Sequence, residues 1–186
     1  MKHLGTVEIE TERLILRRFR KEDVDYSYSN WMNDSEVTKY LRWTAYENVE
    51  GARDYIDYVI NGYNEECYHW VIISRDIDQS IGAISVVETC YEIDLVHIGY
   101  CLGKKWWHKG YMSEALAAVI EFFFEQIGAN RVESCFDPRN ANSGKVMAKC
   151  GMKYEGIHRQ ADRNNQGICD KVMYAILAEE YRRDDD

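Results

Sequence analysis

The sequence predicts one mixed α/β (α+β) domain: seven strands in a sheet, with helices packed against it. Three observations carry this. Segments with helical three- and four-residue spacing interleave with short β-rich apolar runs along the chain. No repeat, low-complexity segment or linker divides it, and its single proline, Pro138, falls between two elements. At 186 residues, 46% hydrophobic and 30% charged, the chain is long enough for one sizeable core and has an ordinary globular make-up. Residues 1–186 therefore read as one domain, with 184–186 a frayed, solvated tail.

Taken in order, Glu12–Phe19 (ERLILRRF) is rich in β-favouring apolar residues with charges at its margins and predicts a first strand. Lys21-Glu22-Asp23 puts acid into the first turn of a helix running to about Trp31, which suits the helix dipole. A short helical turn follows at Ser35–Leu41. From Asn48 to Tyr63, the residues Val49, Ala52, Ile56, Val59, Ile60 and Tyr63 fall on one face, so the spacing predicts an amphipathic helix. Three strand-like runs come next, Tyr68–Arg75, Ile81–Thr89 and Asp94–Leu102, and the polar link Arg75–Ser80 predicts that the first two pair antiparallel. Tyr111–Ile127 places Met112, Leu116, Val119, Ile120, Phe123 and Ile127 on a core face, and Gly128 closes that helix. Arg131–Phe136 predicts a fifth strand, and Asn142–Lys149 a short helix ended by Gly151. Tyr154–Asp162 and Ile168–Leu177 predict a last hairpin about the turn Asn164-Asn165-Gln166-Gly167.

A formal charge of −9 and a pI near 5.1 argue against a nucleic-acid partner, which needs a basic face. They suit a cationic or amine substrate drawn to an acidic cleft. The longest apolar run, Ala115–Phe124, is broken by Glu121 and is too short to cross a bilayer, and the opening MKHLGTVEIETER has no apolar signal core. A cytoplasmic protein with no membrane partner is expected. The six cysteines (67, 90, 101, 135, 150 and 169) form no CxxC pair, and Cys67-x-His69, the nearest approach to a metal spacing, reads as incidental on a strand. No metal and no disulfide are expected.

The stretch the chain is organised around is His97–Glu114, HIGYCLGKKWWHKGYMSE: a strand, a glycine-bearing loop, then the start of a helix at Tyr111. The backbone N–H groups of Lys109 to Ser113 should point the same way there, making a nest of partial positive charge that binds phosphate without a net-basic protein. The segment alone fits a pyrophosphate-binding loop for a nucleotide-type cofactor. It fits equally an ordinary strand-to-helix turn with a glycine at a left-handed position.

Four stretches together resemble the GNAT superfamily of acetyl-CoA-dependent N-acetyltransferases, in particular the RimJ/RimL-type branch whose named members acetylate the N-termini of ribosomal proteins. TERLILRRF is similar to that branch's first strand. HIGYCLGKKWWHKGYMSEAL is similar to its central strand, pyrophosphate loop and helix. DPRNANSGKVMAKCGMKYEG resembles its second cofactor segment, and DKVMYAILAEEY its closing strand. The resemblance implies a mixed, mostly antiparallel sheet whose central strand is bulged and splays from its neighbour. It implies acetyl-CoA, with the backbone of Tyr100, Cys101 and Leu102 holding the pantetheine arm. Trp107, His108, Lys109, Gly110, Tyr111, Met112 and Ser113 would then wrap the pyrophosphate. Asn140 would bond the pantetheine, with Ser143 close by, and Lys145 and Lys149 would reach phosphate. Trp107 and Met112 depart from the usual ends of the loop motif, and His108 replaces a frequent glycine. Met147 stands where many relatives carry the tyrosine that protonates the departing thiolate, which leaves Ser143 or a water for that task.

Acetyl transfer to an amine needs a deprotonated amine, a polarised thioester and a near-attack geometry. The resemblance points for the base to the strand just before the bulge, where relatives often carry Glu and this chain carries His97, with an unperturbed pKa near ~6.5. A strand histidine bonded to a neighbour is the plainer alternative. Glu88, Glu92 and Asp94 flank the same strand as other bases or a cation-attracting patch. Cys135 can be imagined as an acyl-carrying nucleophile, though a thiol on a strand is usually packing. Trp31, Tyr40 and Trp43, with Glu88, are the residues expected to face the substrate. The expectation is direct transfer of acetyl to a primary amine, on a protein N-terminus or a small molecule, by a monomer or homodimer. An acetyl-CoA-binding sensor that has lost catalysis is the alternative from a different class.

Overall fold

The computed structural model describes residues 1–181, so the tail expected to fray at 184–186 lies outside the described residues. The sheet runs β1-β2-β3-β4-β5-β6-β8-β7, with every neighbouring pair antiparallel except β5 and β6. Its strands are β1 (Ile9–Glu10), β2 (Leu14–Arg17), β3 (His69–Ser74), β4 (Gln79–Cys90), β5 (Leu95–Leu102), β6 (Arg131–Phe136), β7 (Lys153–Asn164) and β8 (Gly167–Leu177). There are therefore eight described strands rather than seven. The addition is β1, a two-residue edge strand pairing Ile9 with Leu16 and Glu10 with Ile15. Two residues carry no periodicity, so pairing alone makes this strand.

Two hydrophobic clusters cover the two faces of the sheet. On one face lie α4 (Tyr111–Phe122), continued by a wider helical turn at Phe123–Ile127, and α5 (Ala141–Lys149). Their apolar sides pack on Ile84, Val96, Ile98 and Leu102, with Leu116, Val119 and Met147 fully buried. On the other face lie α1 (Val24–Ser27), α2 (Ser35–Thr38) and α3 (Val49–Gly62), packed on Val71, Ile73 and Ala83. The helix expected from Lys21 to Trp31 is one continuous helical path in three pieces, a tight turn at Lys21–Asp23, α1, and a wide turn at Tyr28–Met32. The α3 helix starts where Asn48 accepts from the Gly51 amide and buries Ala52, Ile56 and Val59, the heart of the predicted stripe. Among the described residues no helix is long and apolar enough to cross a membrane.

The feature that positions chemistry is the meeting of β5 and β6. They pair in parallel for three residues only, Leu95 with Arg131, Val96 with Val132 and His97 with Glu133, and then part. Beyond His97, β5 is held on one side by β4 and leaves the other side open. The irregularity expected in the middle of the sheet falls on β4: Val86 faces Ile98 and Glu88 faces His97, so the extra residue is Val87. An inserted residue increases local twist, and here it lies where β5 leaves β6.

Candidate functional site

A cleft of about 310 Å³ opens beside the free side of β5, between α4, α5 and α2. Its floor is Tyr100, Cys101 and Leu102. One end is Trp107, His108, Gly110, Tyr111, Met112 and Ser113, and the far wall is Asn140, Ser143, Lys145 and Lys149. Thus the two halves of the expected cofactor site, almost forty residues apart in sequence, line one cavity. Lys109 is the exception among the loop residues. Its side chain does not line the cleft, and its carbonyl accepts from Arg13 Nη1 at 3.0 Å. Val37, Leu41, Trp106, Asn142 and Val146 complete the lining.

The loop end brings helix-end amides and two cations together. Gly110 has φ of +83° and begins α4 with no side-chain cap, so the first amides of that helix are left to a ligand or solvent. A Cβ at Gly110 would lie 3.4 Å from Arg13 Nη2 and 3.8 Å from Lys149 Nζ, so two cations converge on the same spot. Arg13 is held there by Glu114, which accepts from the Arg13 amide (2.8 Å), Arg13 Nε (2.7 Å) and Thr11 Oγ1 (2.6 Å). Burial alone would raise the Glu114 carboxyl, but these bonds outweigh it and hold it low. The guanidinium also lies 4.3 Å from the Tyr111 ring centroid. Sequence reasoning missed Arg13; the signal available was an arginine opening the first strand and a glutamate in the first turn of the loop helix. His108 adopts φ of +59°, a left-handed conformation that costs a non-glycine residue about 1 kcal/mol or more.

On the far wall, Asn140 precedes α5 but does not cap it, and its carboxamide has no hydrogen-bond partner among the described residues. It is an uncommitted donor and acceptor facing the cleft. Ser143 Oγ donates to Tyr100 Oη at 3.0 Å, and Tyr100 Oη donates in turn to the Ser143 carbonyl at 3.0 Å. This pair ties α5 to β5 across the cleft, and burial pushes the Tyr100 hydroxyl well above its ordinary value. The Leu102 carbonyl accepts from Trp107 Nε1 at 2.7 Å, so that one backbone acceptor on the expected pantetheine strand is already engaged. A convergent anion site, a free carboxamide and an apolar floor fit the phosphates and the amide-bearing arm of acetyl-CoA.

Asp137 fixes where α5 begins. Its carbonyl accepts from the Asn140 amide at 2.7 Å, and its buried carboxylate accepts from Arg139 Nε and the Arg139 amide, each at 2.9 Å, and from Asn164 Nδ2 at 2.8 Å. Arg139 holds this carboxyl well below the usual range; burial opposes, and the Arg139 amide and Asn164 reinforce. A depressed carboxylate stabilises the fold fully above its unfolded pKa, about 3.9, and that contribution is lost as pH falls through the folded value. Asp137→Asn is therefore expected to lower stability at neutral pH by about 1–3 kcal/mol and to flatten the acid limb below about pH 4. Urea midpoints measured against pH check this; parallel limbs for the two proteins would rule it out.

The opposite face of β5 carries a polar cluster. His97 is buried, with Nδ1 2.9 Å from Glu133 Oε1 and Nε2 3.4 Å from Cys135 Sγ. Burial lowers its pKa, but the bonds to Cys135 and Glu133 outweigh this and raise it to about 9. Glu133 is itself held low by His97, against burial, and by Arg131, whose Nε lies 3.0 Å from Oε2. Glu88 pairs with His97 in register and is exposed. His97 does not line the cleft; it stands where the strands part, on the face turned away from α5.

The expected substrate residues divide. Tyr40 lines the cleft mouth beneath Arg139, whose guanidinium is 5.8 Å from the ring. Trp43 is half-buried and stacks on Tyr46 at 5.5 Å. Trp31 is only 1% exposed and donates from Nε1 to the buried Ser80 hydroxyl at 3.0 Å, so it is core behind Trp43 and cannot face a substrate. One feature had no expectation. Asn165, at the β7–β8 turn, donates to the carbonyls of Thr38 (2.8 Å) and Trp43 (2.7 Å), and its amide to Leu41 (3.0 Å). This strap ties the β7–β8 turn to residues 38–43, of which Tyr40 and Leu41 line the cleft.

Comparison with known proteins agrees with this geometry. Residues 13–153 match the Acetyltransferase (GNAT) domain family. The chain is 34% identical over 173 residues to the uncharacterized N-acetyltransferase p20 of Bacillus licheniformis, covering 92% of this chain and 96% of that one. It is 37% identical over 60 residues to the ribosomal protein uS5-alanine N-acetyltransferase of Escherichia coli, covering 32% of this chain and 31% of that one. It superposes on the crystal structure of a GNAT-family acetyltransferase from Bacillus anthracis with a TM-score of 0.82 at 27% identity, covering 93% of this chain and 99% of that one.

Proposed function

The chain belongs to the GNAT acetyltransferase family, an acetyl-CoA-dependent N-acetyltransferase by that membership, and from that premise we propose that its acceptor is a primary amine on a slender carrier. The extended N-terminus of a polypeptide and a small aliphatic amine both meet that description. The observation that carries the reading is the parting of β5 from β6 after His97. It leaves a gap with the Gly110 amides and Asn140 on one face and an exposed carboxylate, Glu88, on the other. Tyr100 and Cys101 backbone groups, Asn140 and the Gly110 nest would hold acetyl-CoA, with Lys145 and Lys149 as cations for its phosphates. When bound, it supplies the activated acetyl group. The β5 amides would polarise the carbonyl of that group, and His97, held charged by Cys135 and Glu133, would stand beside the gap as a proton donor.

Slenderness follows from the strap. Asn165 bonds three carbonyls of residues 38–43 and so fixes the loop that carries the cleft-lining Tyr40 and Leu41, which supports an acceptor narrow enough to pass it. Similarity to the uS5-alanine enzyme over 60 residues supports an N-terminal amine among the candidates. A panel of N-terminal peptides, polyamines, amino acids and aminoglycosides, scored by coenzyme A release, tests this. Release with at least one slender amine is expected. Binding of acetyl-CoA without release by any amine would mean a sensor instead.

A further inference from the structure

A second hollow, of about 700 Å³, is lined by Arg42, Asp162, Arg163, Asn164, Asn165 and Gly167. It borders the cofactor cleft through one loop: Tyr40 and Leu41 line the cleft, and Arg42 lines the hollow. No apolar side chain is among its lining residues, so it suits a polar ligand. Its walls are fixed. Asn165 Nδ2 donates to the carbonyls of Thr38 (2.8 Å) and Trp43 (2.7 Å), on either side of Arg42. Asn164 Nδ2 donates to the Asp137 carboxylate at 2.8 Å, and the Asp137 carbonyl accepts from the Asn140 amide at 2.7 Å. One bond network therefore holds the hollow in register with the free carboxamide of Asn140.

The charge there is positive. Asp162 is the one carboxylate among the lining residues, and its Oδ1 accepts from Arg42 Nη2 at 2.6 Å and from the Arg163 amide at 2.7 Å. Arg42 spends one nitrogen of its fork on that bond, and its side chain is 74% exposed. Arg163 is exposed, and its guanidinium has no ion-pair partner among the described residues. Lys39 and Arg139 add to the field, their charged ends 5.6 and 5.8 Å from the Tyr40 ring centroid. Asp137 pairs with Arg139, whereas Lys39 has no ion-pair partner among the described residues. Lys39, Arg42, Arg139 and Arg163 thus gather against Asp137 and Asp162 in a chain whose formal charge is −9. A guanidinium fork with free N–H groups matches a carboxylate or phosphate through paired bonds.

We propose that this hollow is a subsite for a negatively charged group on the acceptor, a carboxylate or a phosphate, bound by the Arg42 and Arg163 guanidiniums. This rests on the acetyl-transfer reading above. It narrows the acceptor from any slender amine to one that also carries an anion: an amino acid, a phosphorylated amine, or a peptide whose first residues are acidic. The two ends of such a molecule meet opposite charges. Its amine meets the exposed Glu88 at the gap beside β5, and its anion meets the arginines behind the 38–43 loop. A polyamine would bring a like charge to those arginines, which disfavours it. Arg42 and Arg163 are specificity residues that touch the anion and take no part in making or breaking bonds. Asp162 keeps Arg42 aimed and leaves the charge of Arg163 uncancelled.

The test compares kcat/KM for matched acceptors at saturating acetyl-CoA. The pairs are β-alanine with β-alaninamide, phosphoethanolamine with ethanolamine, and a peptide with two aspartates after its first residue with the same peptide carrying asparagines. In at least one pair the anionic member should win by about tenfold or more, through KM, and the margin should shrink as salt rises. Which pair shows it identifies the source of the anion. Arg163→Gln, whose guanidinium holds no ion pair, should keep the urea midpoint and the acetyl-CoA affinity and lose most of the margin. Arg42→Gln should lose it too, and Arg163→Glu should turn it toward the uncharged member. Equal use of both members in every pair, or an unchanged margin in Arg163→Gln, overturns the subsite and leaves acetyl transfer standing. Weakened acetyl-CoA binding in Arg163→Gln would give the hollow to the cofactor and overturns it as well. No coenzyme A release with any amine of these pairs or of the wider panel overturns the acetyl-transfer reading, and the subsite with it.

Discussion

Gly110→Glu is expected to abolish acetyl-CoA binding while leaving the protein folded. The site at Gly110 is built from helix-end amides and two side-chain cations, Arg13 and Lys149, whose nitrogens lie 3.4 and 3.8 Å from where a Cβ would be. A carboxylate introduced there sits between the cations and takes the place of a phosphate. Losing two charge-assisted contacts at about 1.5–3 kcal/mol each predicts an affinity loss on the order of a hundredfold or more. The backbone adds a separate cost, because φ of +83° in a non-glycine residue is strained by roughly 1–2 kcal/mol. Gly110→Ala separates the two effects: it should lose that stability and little affinity. Titration calorimetry with acetyl-CoA, beside urea unfolding of both variants, reads both quantities. Retained affinity in Gly110→Glu would falsify the loop assignment.

What the sequence made legible is what local periodicity encodes. The stripe Ala52, Ile56, Val59 specifies α3, and Arg131–Phe136 appears as β6 with the bounds expected, because alternation and turn residues are short-range signals. Resemblance pointed to Gly110 and Asn140 together, and both line one cleft. Three things stayed hidden, each decided by distant partners. The edge strand β1 exists only because Ile9 and Glu10 pair with β2. Arg13 is brought beside Gly110 by Glu114, about a hundred residues away. His97 carried no mark of Glu133 and Cys135, since the parallel β5–β6 register that brings them together spans a whole helix. That register also changed its chemistry. With its pKa held at about 9, His97 is mostly charged at neutral pH, a proton donor at rest rather than the free base expected of an isolated imidazole.

Trp31 illustrates the opposite error, an aromatic in the right neighbourhood assigned to the wrong layer. Trp31 and Trp43 meet edge to face at 6.2 Å, yet Trp31 belongs to the buried cluster that includes Met32 and Ile56 while Trp43 remains half-buried. The two should therefore separate cleanly on substitution. Trp31→Ala removes a fully buried indole and its bond to Ser80, whose hydroxyl keeps Ser27 at 2.9 Å, so a loss of about 3–5 kcal/mol in unfolding free energy is expected. That is a large share of the roughly 5–15 kcal/mol a domain of this kind has, and the urea midpoint should fall accordingly. Trp43→Ala should cost much less stability and raise KM for the amine with little change in acetyl-CoA affinity. If Trp31→Ala kept its urea midpoint and raised the amine KM instead, the indole would have to reach the acceptor. The layer assignment drawn from its burial would then be wrong.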